Sequence, residues 1–282
     1  MGQIINGKEV ALKVKEEIKD FVNFRKEENL KIPKIASILV GNDGGSIYYM
    51  TSQEKVAKSL GVEFLKVTLP DTCSDSNVIN EIHKLNEDDD VQGIILQLPL
   101  PVNFDEKKII KEISPDKDID CLTFESQGKL YMGEPKFLPC TPNSVINLIK
   151  SLNIDIAGKN VVVLGRSNIV GKPVAQLLLN ENATVTICHS KTKNLKDVCK
   201  GADILVVAIG RPKFIDESYV NKDSIIIDVG TSSFEGKITG DVDFDKVIDK
   251  CKYLTPVPGG VGALTTTLLI KNACEALKEN EN

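Results

Sequence analysis

The chain reads as a two-domain α/β protein, the second domain a doubly wound parallel sheet. Two observations predict this. Short apolar runs alternate with helical segments in two separate stretches, and a proline-rich passage divides them. The length fits as well, since 282 residues suit two domains of ordinary size. The expected partition is a first domain over 1–120 and a second over 141–262, with a final helix over 263–282 packing back on the first.

In the first stretch, IASILVG (35–41) is a buried parallel strand closed by glycine. Residues 46–60 form a helix that stops at Gly61, a C-cap glycine. A strand over 62–69 and a helix over 76–85 follow, the latter capped by Ser74 or Ser76. GIILQL (93–98) is a third strand, ended by Pro99 and Pro101. Strands separated by helices call for right-handed crossovers and a parallel sheet. Residues 113–142 hold Pro115, Pro135, Pro139 and Pro142 and read as the passage between domains. Strands then resume at 160–165, 183–189, 203–210 and 223–230, with helices at 171–180, 194–200 and 262–278.

Composition narrows the function classes. Hydrophobic residues are 41% and charged residues 27%, a balance that excludes a disordered chain. The net charge of -5, without a basic stripe, argues against nucleic acid. No apolar run reaches the roughly 18 residues of a membrane helix. MGQIINGKEV lacks a signal-peptide layout, so the expected compartment is the cytoplasm. Seven scattered cysteines without a CxxC fit reduced thiols, with neither a disulfide framework nor a zinc site. With only His83 and His189 present, a histidine metal centre is not expected.

GRSNIVGKP (165–173) follows a strand and opens a helix, as a glycine-poor relative of G-x-G-x-x-G. Gly165 allows the turn, Gly171 allows close packing, and the free N–H groups of the helix start suit a phosphate. Pro173 fits the first helical turn, where no donor is lost. The next strand ends in CHSKT (188–192), without the carboxylate that binds a ribose 2′-hydroxyl in NAD sites. Arg166, His189, Ser190 and Lys191 instead offer donors for a 2′-phosphate, which points to NADP.

In the first domain, Tyr49 and Gln53 are four residues apart and share a helix face, whereas Lys55 faces away. Gln97 stands at the C-terminal end of a strand, the ligand side of an open α/β sheet. Asp116, Asp118 and Asp120 share a loop, and TPVPGGVG (255–262) turns into the last helix. Taken singly, each has an ordinary structural reading.

As an ordered set these pieces resemble the bifunctional methylenetetrahydrofolate dehydrogenase/methenyltetrahydrofolate cyclohydrolase family. The matching segments are VGND with the tyrosine helix, QLPLP, PDKDID, PCTP, GRSNIVGKP, CHSKT, IDVG, GDV and TPVPGGVG, in family order from about residue 35 to 270. The resemblance implies a folate-binding α/β domain and a Rossmann-like NADP domain with the folate in a cleft between them, usually in a homodimer. It places Tyr49, Gln53, Gln97 and Asp120 in the catalytic constellation. Tyr49 would pack on the folate and Asp120 would bond the pterin. Leu98, Pro99, Pro258, Gly259, Gly260 and Val261 would border the substrate. Gly165, Arg166, Ser167, Ile169, Val170, His189, Ser190 and Thr231 would hold the dinucleotide.

Three positions depart from the family pattern. Gln53 stands where the family has lysine, Cys121 where it has glycine, and Ala263-Leu264 where it has proline-methionine. An amide does not titrate, so the expectation is an NADP-dependent dehydrogenase whose cyclohydrolase step is weak or absent. The alternative is a fully bifunctional enzyme. Two other classes are a dehydrogenase of the amino-acid or shikimate type and a nucleotide-sensing module. The first leaves QLPLP and PGGVG without a role, and the second leaves Tyr49, Gln97 and Asp120 without one.

Overall fold

The structure is a computed structural model and describes residues 2–279. Its strands are β1 (Gln3–Ile4), β2 (Lys34–Val40), β3 (Glu63–Leu69), β4 (Gly93–Leu96), β5 (Asn160–Leu164), β6 (Thr184–Cys188), β7 (Ile204–Val207), β8 (Ile225–Asp228), β9 (Ser232–Phe234), β10 (Lys237–Thr239) and β11 (Tyr253–Leu254). Its helices are α1 (Gly7–Glu27), α2 (Gly44–Ser59), α3 (Asp75–Glu87), α4 (Glu106–Ile110), α5 (Phe124–Met132), α6 (Cys140–Lys150), α7 (Gly171–Asn180), α8 (Leu195–Lys200), α9 (Phe244–Val247) and α10 (Val261–Glu279).

The chain divides into two compact units. One comprises Met1–Leu12 with Cys140–Thr265, and the other Lys13–Pro139 with Thr266–Asn282. The first twelve residues, which the sequence reading gave to the first domain, thus count with the later sheet. The physical reason is that β1 pairs in parallel with β11.

The Lys13–Pro139 unit is built on a parallel sheet of order β3-β2-β4. Its central strand is apolar because it is covered on both faces, with Ile35, Ala36 and Ile38 fully buried. Val78, Ile82 and Leu85 of α3 pack on this sheet with Ile94, Leu96 and Ile109. The α3 helix starts at a capping box, in which Ser74 and Asn77 satisfy each other's backbone N–H groups.

The other unit carries the parallel sheet β1-β11-β8-β7-β5-β6. Val162, Leu164, Leu205, Val207 and Ile226 form its core with Val247 and Leu254. A β9–β10 hairpin stands outside this sheet.

Residues 113–142 are more ordered than their prolines suggest. Thr123 caps α5 by accepting from the Ser126 N–H, and Gly133 ends it in the left-handed conformation. Pro142 lies in the first turn of α6, where a missing N–H costs nothing. Among the described residues, no helix is long and apolar enough to cross a membrane.

Candidate active site

The first group of site residues gathers at the C-terminal ends of β2 and β4. Asp43 caps α2, its carboxylate accepting from the N–H and hydroxyl of Ser46 at 2.8 and 3.0 Å. Those bonds hold the Asp43 carboxyl below its ordinary pKa. The cap fixes the start of a helix that displays Tyr48 and Tyr49, 60% and 48% exposed, with their rings edge to face. Apolar ring surface left in water at the head of a sheet suits a flat ligand.

One turn further along α2, Gln53 meets the sheet. Gln97 follows β4, and its backbone N–H continues the ladder to the Ile38 carbonyl. The Gln97 amide nitrogen donates to Gln53 Oε1 at 2.7 Å and to Ser37 Oγ at 3.0 Å. Ser37 is wholly buried in β2, so its hydroxyl serves the interior side of this chain of bonds. The sequence reading placed Gln53 and Gln97 in one constellation, and they are in direct contact. It missed Ser37, whose signal was a lone hydroxyl inside an otherwise apolar strand.

The loop that follows α4 runs beside β4. The Ile94 N–H donates to the Lys117 carbonyl, and Ile119 lies against Gly93. Asp120 is half-buried at the end of this segment. Its neighbour Asp118 is buried and accepts from the Leu122 and Thr123 N–H groups, both at 2.8 Å. Asp118 therefore shapes the loop. Cys121 has φ 56°, the left-handed region that favours glycine. Its thiol is fully buried, and burial pushes its pKa up to about 12. This is an inert packed cysteine.

Leu98 and Pro99 follow Gln97 through a cis peptide, and Val257-Pro258 is also cis. Pro258, Gly259 and Gly260 then lead to Val261, the first residue of α10. Gly259 has φ +109°, and a Cβ on Gly260 would press on Thr255 and Pro256. A Cβ on Gly7 would overlap the Gly260 carbonyl, so this turn is packed backbone to backbone with the start of α1.

The second group lies at the C-terminal ends of β5, β6 and β7. Gly165 has φ +134°, and a Cβ there would overlap the Ala208 carbonyl. A Cβ on Gly171 would overlap the carbonyl of Gly165. Ser167 Oγ accepts from the N–H groups of Val170 and Gly171 at 3.2 and 3.3 Å, closing the turn. His189 Nδ1 accepts from the Lys191 N–H at 3.1 Å, which fixes the ring.

A cavity of about 330 Å³ sits over this turn. Gly165, Arg166, Ser167, His189 and Ser190 line it, joined by Arg211 and Phe214, which the sequence reading did not single out. Ile169 and Val170 belong to the turn into α7 without lining the cavity, and Thr231 lies beyond β8, just before the hairpin. The donor set suits a phosphorylated dinucleotide. Glycines leave room for backbone to approach, and arginines and hydroxyls face the space without a lining carboxylate.

Two buried acids brace this region. Asp241 accepts from three consecutive N–H groups, those of Ile209, Gly210 and Arg211, at 2.7, 2.9 and 2.6 Å. Asp228 accepts from the N–H groups of Gly230, Asp241 and Val242. Burial, opposed by those donors, pushes the Asp228 carboxyl up to about 7. No cluster of three or more metal-ligating side chains occurs among the described residues.

Comparison with known proteins decides the family. Residues 5–120 match the tetrahydrofolate dehydrogenase/cyclohydrolase catalytic domain, and residues 139–281 match the NAD(P)-binding domain of the same family. The chain belongs to the tetrahydrofolate dehydrogenase/cyclohydrolase family. It is 88% identical to the bifunctional protein FolD of Clostridium beijerinckii, over the whole of both chains. Among solved structures it is similar to the bifunctional FolD of Campylobacter jejuni, with a TM-score of 0.96 and 39% identity, covering 99% of this chain and 100% of that one. The FolD of Trypanosoma brucei, solved with NADP and an inhibitor, matches at TM-score 0.95 and 34% identity, covering 100% of this chain and 99% of that one.

A shikimate dehydrogenase from Aquifex aeolicus shares the fold alone, at TM-score 0.53 and 12% identity over 89% of this chain and 98% of that one. Membership of the tetrahydrofolate dehydrogenase/cyclohydrolase family makes the chain an enzyme with an NAD(P)-binding domain. The doubt about hydrolysis raised by Gln53 finds no support here, because relatives as close as 88% carry the bifunctional name.

Proposed function

We propose that this chain catalyses both family steps, oxidising 5,10-methylenetetrahydrofolate with NADP and hydrolysing the 5,10-methenyl product to 10-formyltetrahydrofolate. The observation that supports it best is the end-to-end 88% identity with a relative named as bifunctional.

Gly165, Arg166, Ser167, Ile169, Val170, His189, Ser190 and Thr231 form the proposed dinucleotide site. Bound NADP supplies the acceptor for the hydride that leaves the methylene carbon. Tyr49 offers a ring face to the pterin. Asp120 accepts hydrogen bonds from the pterin edge, and Leu98, Pro99 and Pro258 to Val261 border the substrate.

In the second step water adds to the electron-poor methenyl carbon, one C–N bond breaks, and the freed ring nitrogen takes a proton. One further proton leaves to solvent. Gln53 and Gln97 do this work by orienting water: their linked amides keep donor and acceptor atoms in fixed positions. No side chain at position 53 has to take up the proton.

Paired assays test the proposal. Methylenetetrahydrofolate with NADP is expected to yield reduced cofactor, and supplied methenyltetrahydrofolate is expected to disappear well above its uncatalysed rate. Oxidation with persistent methenyl product would leave a dehydrogenase alone and overturn the hydrolytic half. The proposed assembly is a cytoplasmic homodimer, and light scattering of the purified protein checks its mass.

A further inference from the structure

We infer that Arg211 is a specificity-determining residue that binds the 2′-phosphate of NADP alongside Arg166. The inference rests on the proposed dinucleotide site and deepens it.

The cavity over the glycine turn draws on three strand ends. Gly165, Arg166 and Ser167 follow β5, His189 and Ser190 follow β6, and Ala208, Ile209 and Arg211 follow β7. In the sheet β5 lies between β7 and β6, so the β7 loop faces the β6 end across the turn. The β6 end is where a doubly wound domain reads the ribose 2′ position. Arg211 therefore approaches that position from the far wall.

Two features hold it there. Its backbone N–H is fixed by Asp241 Oδ1 at 2.6 Å, in the same grip that holds Ile209 and Gly210. Its guanidinium lies 4.5 Å from the centre of the Phe214 ring. A cation over a ring face is held without using its N–H groups as donors, so they can serve a phosphate. Asp241 is a fully buried carboxylate engaged by backbone N–H groups, and it acts here as a positioning residue.

Calorimetric titration of the unliganded protein with NADP⁺, NAD⁺, 2′,5′-ADP and 5′-AMP tests the assignment without relying on turnover. Arg211→Gln is expected to weaken NADP⁺ and 2′,5′-ADP about tenfold, as loss of one charged hydrogen bond would, and to leave NAD⁺ and 5′-AMP within about twofold. Arg211→Lys keeps the charge and is expected to recover most of the loss. Arg211 is exposed, so both variants should melt at the wild-type temperature. Equal weakening of phosphorylated and unphosphorylated ligands would overturn the inference, as would no change in either. If the wild type itself shows no preference for NADP⁺, the NADP reading falls with it. A wild-type preference untouched by Arg211→Gln removes only the role of Arg211.

Discussion

Gln53 is a neutral amide at the position where the resemblance leads one to expect a lysine. Its carbonyl is engaged by Gln97, and Gln97 is in turn engaged by the buried Ser37. Two predictions belong to these residues. Hydrolysis by the wild type should show no pH limb from a side-chain amine, whereas Gln53→Lys should add one, because a lysine titrates and an amide does not. A pH–rate series on both proteins checks this. Ser37→Ala should lower stability by about 1–2 kcal/mol in urea unfolding, because a buried Gln97 N–H loses its partner. It should also slow hydrolysis more than oxidation, as the amide pair loses its anchor. Equal loss of the two activities would make Ser37 a packing residue. The backbone at position 121 accounts for the glycine that the resemblance leads one to expect but not for the cysteine present: the loop turns through a left-handed conformation that glycine adopts freely and cysteine at a cost of about 1 kcal/mol.

At the level of elements, the turn into α7 depends on two glycines. Gly171→Ala would drive a methyl into the Gly165 carbonyl and push the β5 loop outward. The expected result is a loss of about 2 kcal/mol or more with NADP⁺ binding abolished, read by thermal melting and titration. Such elements were legible in the sequence in proportion to their burial. β2, β4, β5, β7 and β8 are almost wholly buried, so each appears as a mostly apolar run, with Ser37 in β2 and Asp228 at the end of β8 as polar exceptions. Helix spacing placed Gln53 on the face of Tyr49 and a strand end placed Gln97, but that the two amides meet came only from the family resemblance and the structure. α1 was not, because its apolar residues are spread among many charges over six turns. α5 and α6 were not read from the sequence, where prolines that sit in a first turn or between helices masked them. Arg211 and Asp241 were missed because their roles arise from strand order, which brings the β7 loop over the β5 turn.

For the molecule as a whole, the strongest pH dependence should come from Asp228. Its carboxyl is raised to about 7 by burial, above the ordinary unfolded value of about 3.9. Its contribution is therefore fully present below about pH 4 and is lost as pH rises through 7, since the unfolded chain ionises first. Asp228→Asn does not titrate, so the stability advantage of wild type over this variant should shrink between pH 5 and 8. Urea unfolding at several pH values checks this, and an advantage that grows with pH would contradict the assignment. The carboxylate of Asp241 carries a different consequence. Three successive amides curved round one point make a concave seat that would attract any passing polyanion. Because Asp241 already fills that seat from within, a pyrophosphate entering this domain finds a rival cradle closed and is left with the glycine turn as its berth.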